Sequence, residues 1–143
     1  KTGYSEDYKV FLELKRSHID HRAAPETIVL PGGKKITFLL GDLMKETTDA
    51  IVNPANEKLT NQGGISNQIV KYGGHAITQN CQEFIKKYRT LPTGQAFVGT
   101  AGKLRCRHVV HTVGPVYKKH SPAENERLLI LSVENCLNIS EKS

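Results

Sequence analysis

What most limits the fold open to this chain is an alternation of short, wholly apolar runs, each ending at polar or turn residues, with longer segments of helical period. The segment "DAIVNPAN" holds an apolar run at 50–52, too short for a helix, which suits a strand covered on both faces as in a parallel sheet. "HVVHTVGP" is a second buried strand, ended by Gly114-Pro115, and "TGQAFVGTAG" is an extended stretch between glycines. From 76 to 88 the apolar residues Ile77, Cys81, Phe84, Ile85 and Tyr88 fall at offsets of 0, 4, 7, 8 and 11, the pattern of an amphipathic helix. Ser121, Pro122 and Glu124 supply an N-cap, a first-turn proline and a capping-box acid for a last helix, with Leu129, Val133, Cys136 and Leu137 as its apolar positions. Strands alternating with helices imply an α/β domain with a largely parallel core sheet. Ligands of such sheets sit outside the carboxyl ends of the strands, which directs attention to Gly41-Asp42, to 53–56 and to Gly114-Pro115.

Upstream, "TIVL", "PGGKK" and "ITFLLGD" read as strand, glycine turn and strand, a hairpin. Residues 1–24 carry one short apolar-periodic stretch, Val10, Phe11 and Leu14, and then the aperiodic "HIDHRAAPE". The expected division is therefore a helical extension and linker over 1–24 and one domain over 25–143. A chain of 143 residues suits a single domain, which buries roughly two-thirds of its unfolded surface and needs neither metal nor disulfides. Cys81, Cys106 and Cys136 are odd in number and widely spaced, fitting no disulfide framework and no zinc site, so a reducing intracellular compartment, cytoplasm or nucleus, is expected. No apolar stretch approaches the roughly 20 residues that cross a bilayer, and a membrane partner is not expected. The balance of 20 basic against 14 acidic residues favours polyanionic partners. With no Trp and only four Phe there is little to build a stacking platform for single strands, so nucleic acid is the less favoured of these.

Three local features could carry chemistry. In "NQGGISNQIVKYGG", Gly63 and Gly64 open a helical pattern, Ile65, Ile69 and Tyr72, that ends at Gly73-Gly74. A glycine loop at a helix start presents unpaired N–H groups at the positive end of the helix dipole, which suits a phosphate or diphosphate, although the same pair also makes a plain turn. It lacks the Gly-Lys-Ser/Thr ending of a P-loop and the third glycine of a Rossmann loop, so kinase, NTPase and dehydrogenase chemistry lose their motif. In "IVNPAN" the amides of Asn53 and Asn56 could hold a ribose diol or could cap a turn. Asp42, at the end of an apolar strand, could accept from an exocyclic amine or cap the turn into "LMKETT". His108 and His111 read as core or strand-edge histidines, and the cysteines as small buried hydrophobes, with Cys106, beside basic residues, the one to test for reactivity.

Together, "LLGDL", "DAIVNPAN", "GGISNQI", "LPTGQAFVGTAG" and "HVVHTVGP" resemble, in order and spacing, the macro domain, a module that binds ADP-ribose. The resemblance runs over about 27–139, and "NEKLTNQGGIS" is most similar to the macro domains of poly-ADP-ribose polymerase-like proteins. It implies a three-layer α/β/α fold with a mixed, largely parallel central sheet. It also implies that Asp42 accepts from the adenine amino group, that the Leu43 N–H meets the ring, that Asn56 holds the distal ribose, and that Gly63, Gly64, Ile65 and Ser66 form the first diphosphate loop. ADP-ribose would then be a ligand, with no cofactor and no metal, and mono-ADP-ribosylated proteins would be the partners. The alternative function is a hydrolase releasing ADP-ribose from modified Asp or Glu, with Asn56 placing the water. Ser66 stands where many hydrolytic members carry Asp, which implies slow catalysis. Nothing after Asn138 resembles the further strands and second glycine loop of the family, so the domain is expected to be C-terminally incomplete, with sheet edges and apolar faces open to association.

Overall fold

The computed structural model describes residues 25–142 and divides them between two compact units that meet in sequence at Asp42 and Leu43. The helical stretch expected around Val10, Phe11 and Leu14 lies outside the described residues.

The first unit contains the expected hairpin. Strands β1 (Glu26–Val29) and β2 (Lys35–Phe38) pair antiparallel, with Glu26 opposite Phe38 and Val29 opposite Lys35. Gly32 and Gly33 both take positive φ in the turn, a backbone that a Cβ would strain. Leu30 closes it, donating to the Lys34 carbonyl at 2.7 Å and accepting from the Gly33 N–H at 3.0 Å.

The second unit runs through a 3-10 turn (Leu43–Lys45), β3 (Ala50–Pro54), α1 (Gly64–Gly73), α2 (His75–Tyr88), β4 (Ala96–Thr100), β5 (His108–Thr112) and α3 (Pro122–Ser140). Its sheet has the order β3-β5-β4, with β3 parallel and β4 antiparallel to β5. Because side chains alternate across a strand, this register places Ile51, Asn53, Val109, His111, Phe97 and Gly99 on one face and Val52, Val98, Val110 and Thr112 on the other. Helices α1 and α2 cover the first face, where Ile51, Ile69, Ile77, Cys81, Leu91 and Val109 form the core. Helix α3 covers the second, over β4 and β5: the Asn135 amide donates to the Gly94 carbonyl at 2.7 Å and the Ser132 hydroxyl to the Val113 carbonyl at 3.1 Å. Helix, sheet and helix are the three layers of an α/β/α domain. The N-cap of α3 is also as its sequence implies, with the Glu124 N–H donating to Ser121 Oγ at 3.3 Å and Pro122 in the first turn.

Three expectations about burial need correction. Strand β3 is covered on one face only: Val52 is 43% exposed, because β3 is an edge of the described sheet and α3 lies over β4 and β5. On α1 the buried line is Ser66, Ile69 and Gly73, while Ile65 and Tyr72 are exposed. On α3 the buried line is Leu128, Ser132 and Cys136, so that of the expected apolar positions only Cys136 turns inward while Leu129, Val133 and Leu137 face outward. Polar residues can take the inward positions because the sheet supplies acceptors; Ser132 bonds both the Val113 carbonyl and the Leu128 carbonyl of its own helix. No helix among the described residues is long and apolar enough to cross a membrane.

Candidate functional site

Since β3 and β5 are parallel, their carboxyl ends lie together, and the Ala55 N–H continues the pairing to the Thr112 carbonyl at 2.8 Å. Asn56 is the first exposed amide beyond that end. Its Oδ1 accepts from the backbone N–H groups of Lys58 at 3.1 Å and Thr60 at 3.2 Å, and its Nδ2 donates to Thr60 Oγ1 at 2.7 Å. The amide thus shapes the 56–60 loop as a turn cap, and of its two N–H groups this set uses one. Leu59 and Asn61 follow at φ 50° and 54°, a left-handed conformation that carries the chain back toward the start of α1.

That start is open. No side chain caps α1, its first turn has no acidic residue, and its first N–H groups have no acceptor within the helix. Gly64 sits at φ 53°, and a Cβ added at either Gly63 or Gly64 would meet nothing within 4 Å. Glycine is therefore required at 64 by backbone conformation, while the space in front of the loop is free for a ligand. Bare N–H groups at the positive end of a ten-residue helix offer an anion both hydrogen-bond donors and a favourable field.

Asn53 is placed differently from the expectation of a ribose contact. Its side chain is fully buried and committed to the interior: Oδ1 accepts from Ser66 Oγ at 2.7 Å, and Nδ2 donates to Asn61 Oδ1 at 3.2 Å and lies 3.0 Å from His111 Nδ1. Ser66 adds a bond to the Pro54 carbonyl at 3.2 Å. Its hydroxyl therefore ties the end of β3 to the first turn of α1, and what it leaves for a ligand is a backbone N–H. Burial holds the His111 imidazole neutral, with its pKa lowered to about 4. The neutral ring can accept the Asn53 amide proton at Nδ1, where an imidazolium would oppose N–H to N–H. Cys81 completes the cluster, its sulfur 3.5 Å from the Asn61 amide and 3.7 Å from His111 Nε2. The pattern "HVVHTVG" marks His111 as interior, but nothing local marks Asn61 or Cys81 as its neighbours.

Asp42 is exposed at the end of the first unit, and Leu43 is half-buried at the start of the 3-10 turn of the second, where its carbonyl accepts from the Glu46 N–H at 3.3 Å. Ile65 lies in the open first turn of α1. All three cysteines are free and buried, and burial raises each thiol above its ordinary value, so Cys106 is no more activated than the others. Among the described residues no group of three or more His, Cys, Asp or Glu could hold a metal ion.

An α/β/α domain that sets a bare, glycine-opened helix start beside the carboxyl ends of parallel strands has the arrangement that phosphate-binding α/β domains use. The chain is a member of the macro domain family, whose family model matches residues 52–143. It is 45% identical over 105 residues to an uncharacterized protein of Thermotoga maritima, a match covering 73% of this chain and 17% of that protein. It is 35% identical over 102 residues to a macro domain-containing protein of Caldanaerobacter subterraneus, covering 71% of this chain and 58% of the relative. Among solved structures, the Oceanobacillus iheyensis macrodomain with ADP superposes at a TM-score of 0.76 with 31% identity, over 81% of this chain and 62% of that one. A variant of the same macrodomain with ADPR gives a TM-score of 0.76 at 30% identity, over 81% and 63%. The chain spans less than two-thirds of the length of each of these relatives.

Proposed function

We propose that this chain is a binding module for ADP-ribose and for proteins that carry it as a single modification. The observation behind this reading is the open start of α1: Gly63 and Gly64 leave free space before a set of uncapped N–H groups, in a family whose solved members include one with ADP and one with ADPR. On this reading Gly63, Gly64, Ile65 and Ser66 receive the diphosphate through backbone N–H groups, and Asn56 faces the distal ribose. Asp42 accepts from the adenine amino group and the Leu43 N–H meets the ring. Asn53 acts behind the loop, positioning it through Ser66. Kinship lies with the macro domains of poly-ADP-ribose polymerase-like proteins, on the wording "NEKLTNQGGIS", and the three free thiols suit a reducing intracellular setting.

Calorimetric titration with ADP-ribose, set against AMP and NAD, tests the assignment. Micromolar binding of ADP-ribose, about −8 kcal/mol, is expected, and Asp42→Ala should weaken it by about 1 to 3 kcal/mol through a lost charge-assisted bond. Equal affinity for all three nucleotides, or none for any, would remove the reading. Hydrolysis of an Asp- or Glu-linked ADP-ribose is expected to be slow, because the Ser66 hydroxyl is buried and donates to Asn53 and Pro54, where it cannot serve as a base. Rapid multiple turnover, lost in Asn56→Ala, would make the chain an enzyme instead.

A further inference from the structure

Beside the glycine loop, the second unit carries a groove of about 470 Å³ between the 58–62 loop and helix α2. Leu59 and Ile85 give it an apolar floor, Thr60 and Gln62 a polar wall, and Lys58 and Lys86 a cation on each side, with no carboxylate among its lining residues. Glu57, next to Lys58, is turned to another partner, its Oε1 accepting from Thr93 Oγ1 at 3.0 Å, and Glu83, next to Gln82 on α2, is not among the lining residues. The Lys58 ammonium is held in place by the Arg89 carbonyl at the end of α2, 3.2 Å away, which leaves it two further N–H groups, and Lys86 has no ion-pair partner among the described residues.

The groove begins where the candidate site ends. Thr60 lines it, and the same Thr60 accepts from the Asn56 amide at 2.7 Å; Gln62 lines it and immediately precedes Gly63. Between the two, Leu59 and Asn61 take left-handed backbone, a conformation that non-glycine residues keep only where the surrounding contacts hold it. ADP-ribose is joined to protein through the anomeric carbon of its distal ribose, the end that the proposed function sets against Asn56. The polypeptide bearing the modification must leave the site from that end. Resting on that reading, we infer that the Lys58–Lys86 groove receives the polypeptide flanking the modified side chain, and that it selects an acidic flank. An extended segment fills a trough of this size, its aliphatic stems meet Leu59 and Ile85, and its carboxylates meet the two lysines.

The test compares free ADP-ribose with ADP-ribosylated peptides joined through a hydrolysis-resistant amide, their flanks being acidic, neutral or lysine-rich. The acidic peptide should bind about fivefold more tightly than free ADP-ribose, with the neutral peptide between them and the basic one weakest, a preference that salt screens away. In Lys86→Glu, and in Lys58→Gln with Lys86→Glu, that order should flatten or invert while free ADP-ribose keeps its affinity. Free ADP-ribose binding with no dependence on the flank would overturn the groove assignment and leave the proposed function standing. Loss of free ADP-ribose binding in Lys86→Glu would equally overturn it, since the groove would then be part of the nucleotide site. A single-stranded oligonucleotide that binds more tightly than the acidic peptide, and depends on the same two lysines, would replace it with a nucleic-acid surface. Absence of ADP-ribose binding by the unaltered chain would bring down the proposed function and this inference together.

Discussion

Gly63 and Gly64 are adjacent and identical, yet they are required for different reasons. Gly63 has φ −147°, a conformation any residue adopts, whereas Gly64 at φ 53° does not accept a Cβ without strain. Gly63→Glu should therefore abolish most ADP-ribose affinity by setting a like charge in the anion space, with the melting temperature little changed. Gly64→Ala should cost about 1 to 2 kcal/mol of stability, read from the denaturant midpoint. His111 provides a second residue-scale prediction. Its folded pKa of about 4 lies below the ordinary 6.5, so between those values the unfolded chain binds the extra proton. Stability should be flat above pH 6.5 and fall as the pH drops toward 4, by about 3 kcal/mol from this group. His111→Gln should flatten that part of the pH profile; an unaltered slope would assign the loss to other groups.

At the level of elements, strands, helices and their order were legible, because a period of two or of 3.6 is written in consecutive residues. The hairpin, the existence of strands β3 and β5, the extents of α1 and α2 and the N-cap of α3 all follow from local patterns, whereas the parallel pairing of β3 with β5 is written in neither strand alone. Which face turns inward was not always legible, and α3 shows why. Ser132 and Asn135 become inward residues only when tertiary folding brings the carbonyls of Val113 and Gly94 within reach. Asn53 is the same case in the site: its partners Asn61, Ser66 and His111 lie 8, 13 and 58 residues away, so a buried structural amide and a ligand-binding one look alike in "IVNPAN". The rotated face of α3 can be measured. Leu128→Ala should destabilise by about 2 to 5 kcal/mol through loss of packing, while Leu129→Gln should change stability by no more than about 0.5 kcal/mol. Equal costs would return the buried face to the apolar stripe.

At the scale of the molecule, the ion pairs Arg107–Asp49 at 3.6 Å and Arg127–Glu124 at 2.7 Å, both solvent-exposed and within the second unit, contribute little to stability. The formal net charge of +6 is spread over the chain. Added salt should thus leave the melting temperature nearly constant while weakening the binding of anionic ligands, a contrast seen by running both measurements across the same salt series. The bond between Asn53 and His111 has a different kind of consequence, one that concerns time. It joins strands 58 residues apart in sequence, with two helices and β4 strung between them. Helices α1 and α2 can gather early from local contacts, but a pairing that encloses so much chain comes late in folding. The glycine loop, anchored to that pairing through Ser66, acquires its native orientation only when the sheet has closed, so the folding transition state has nothing with which to grip the ligand. ADP-ribose should accordingly slow unfolding in stopped-flow measurements and leave the refolding rate where it was.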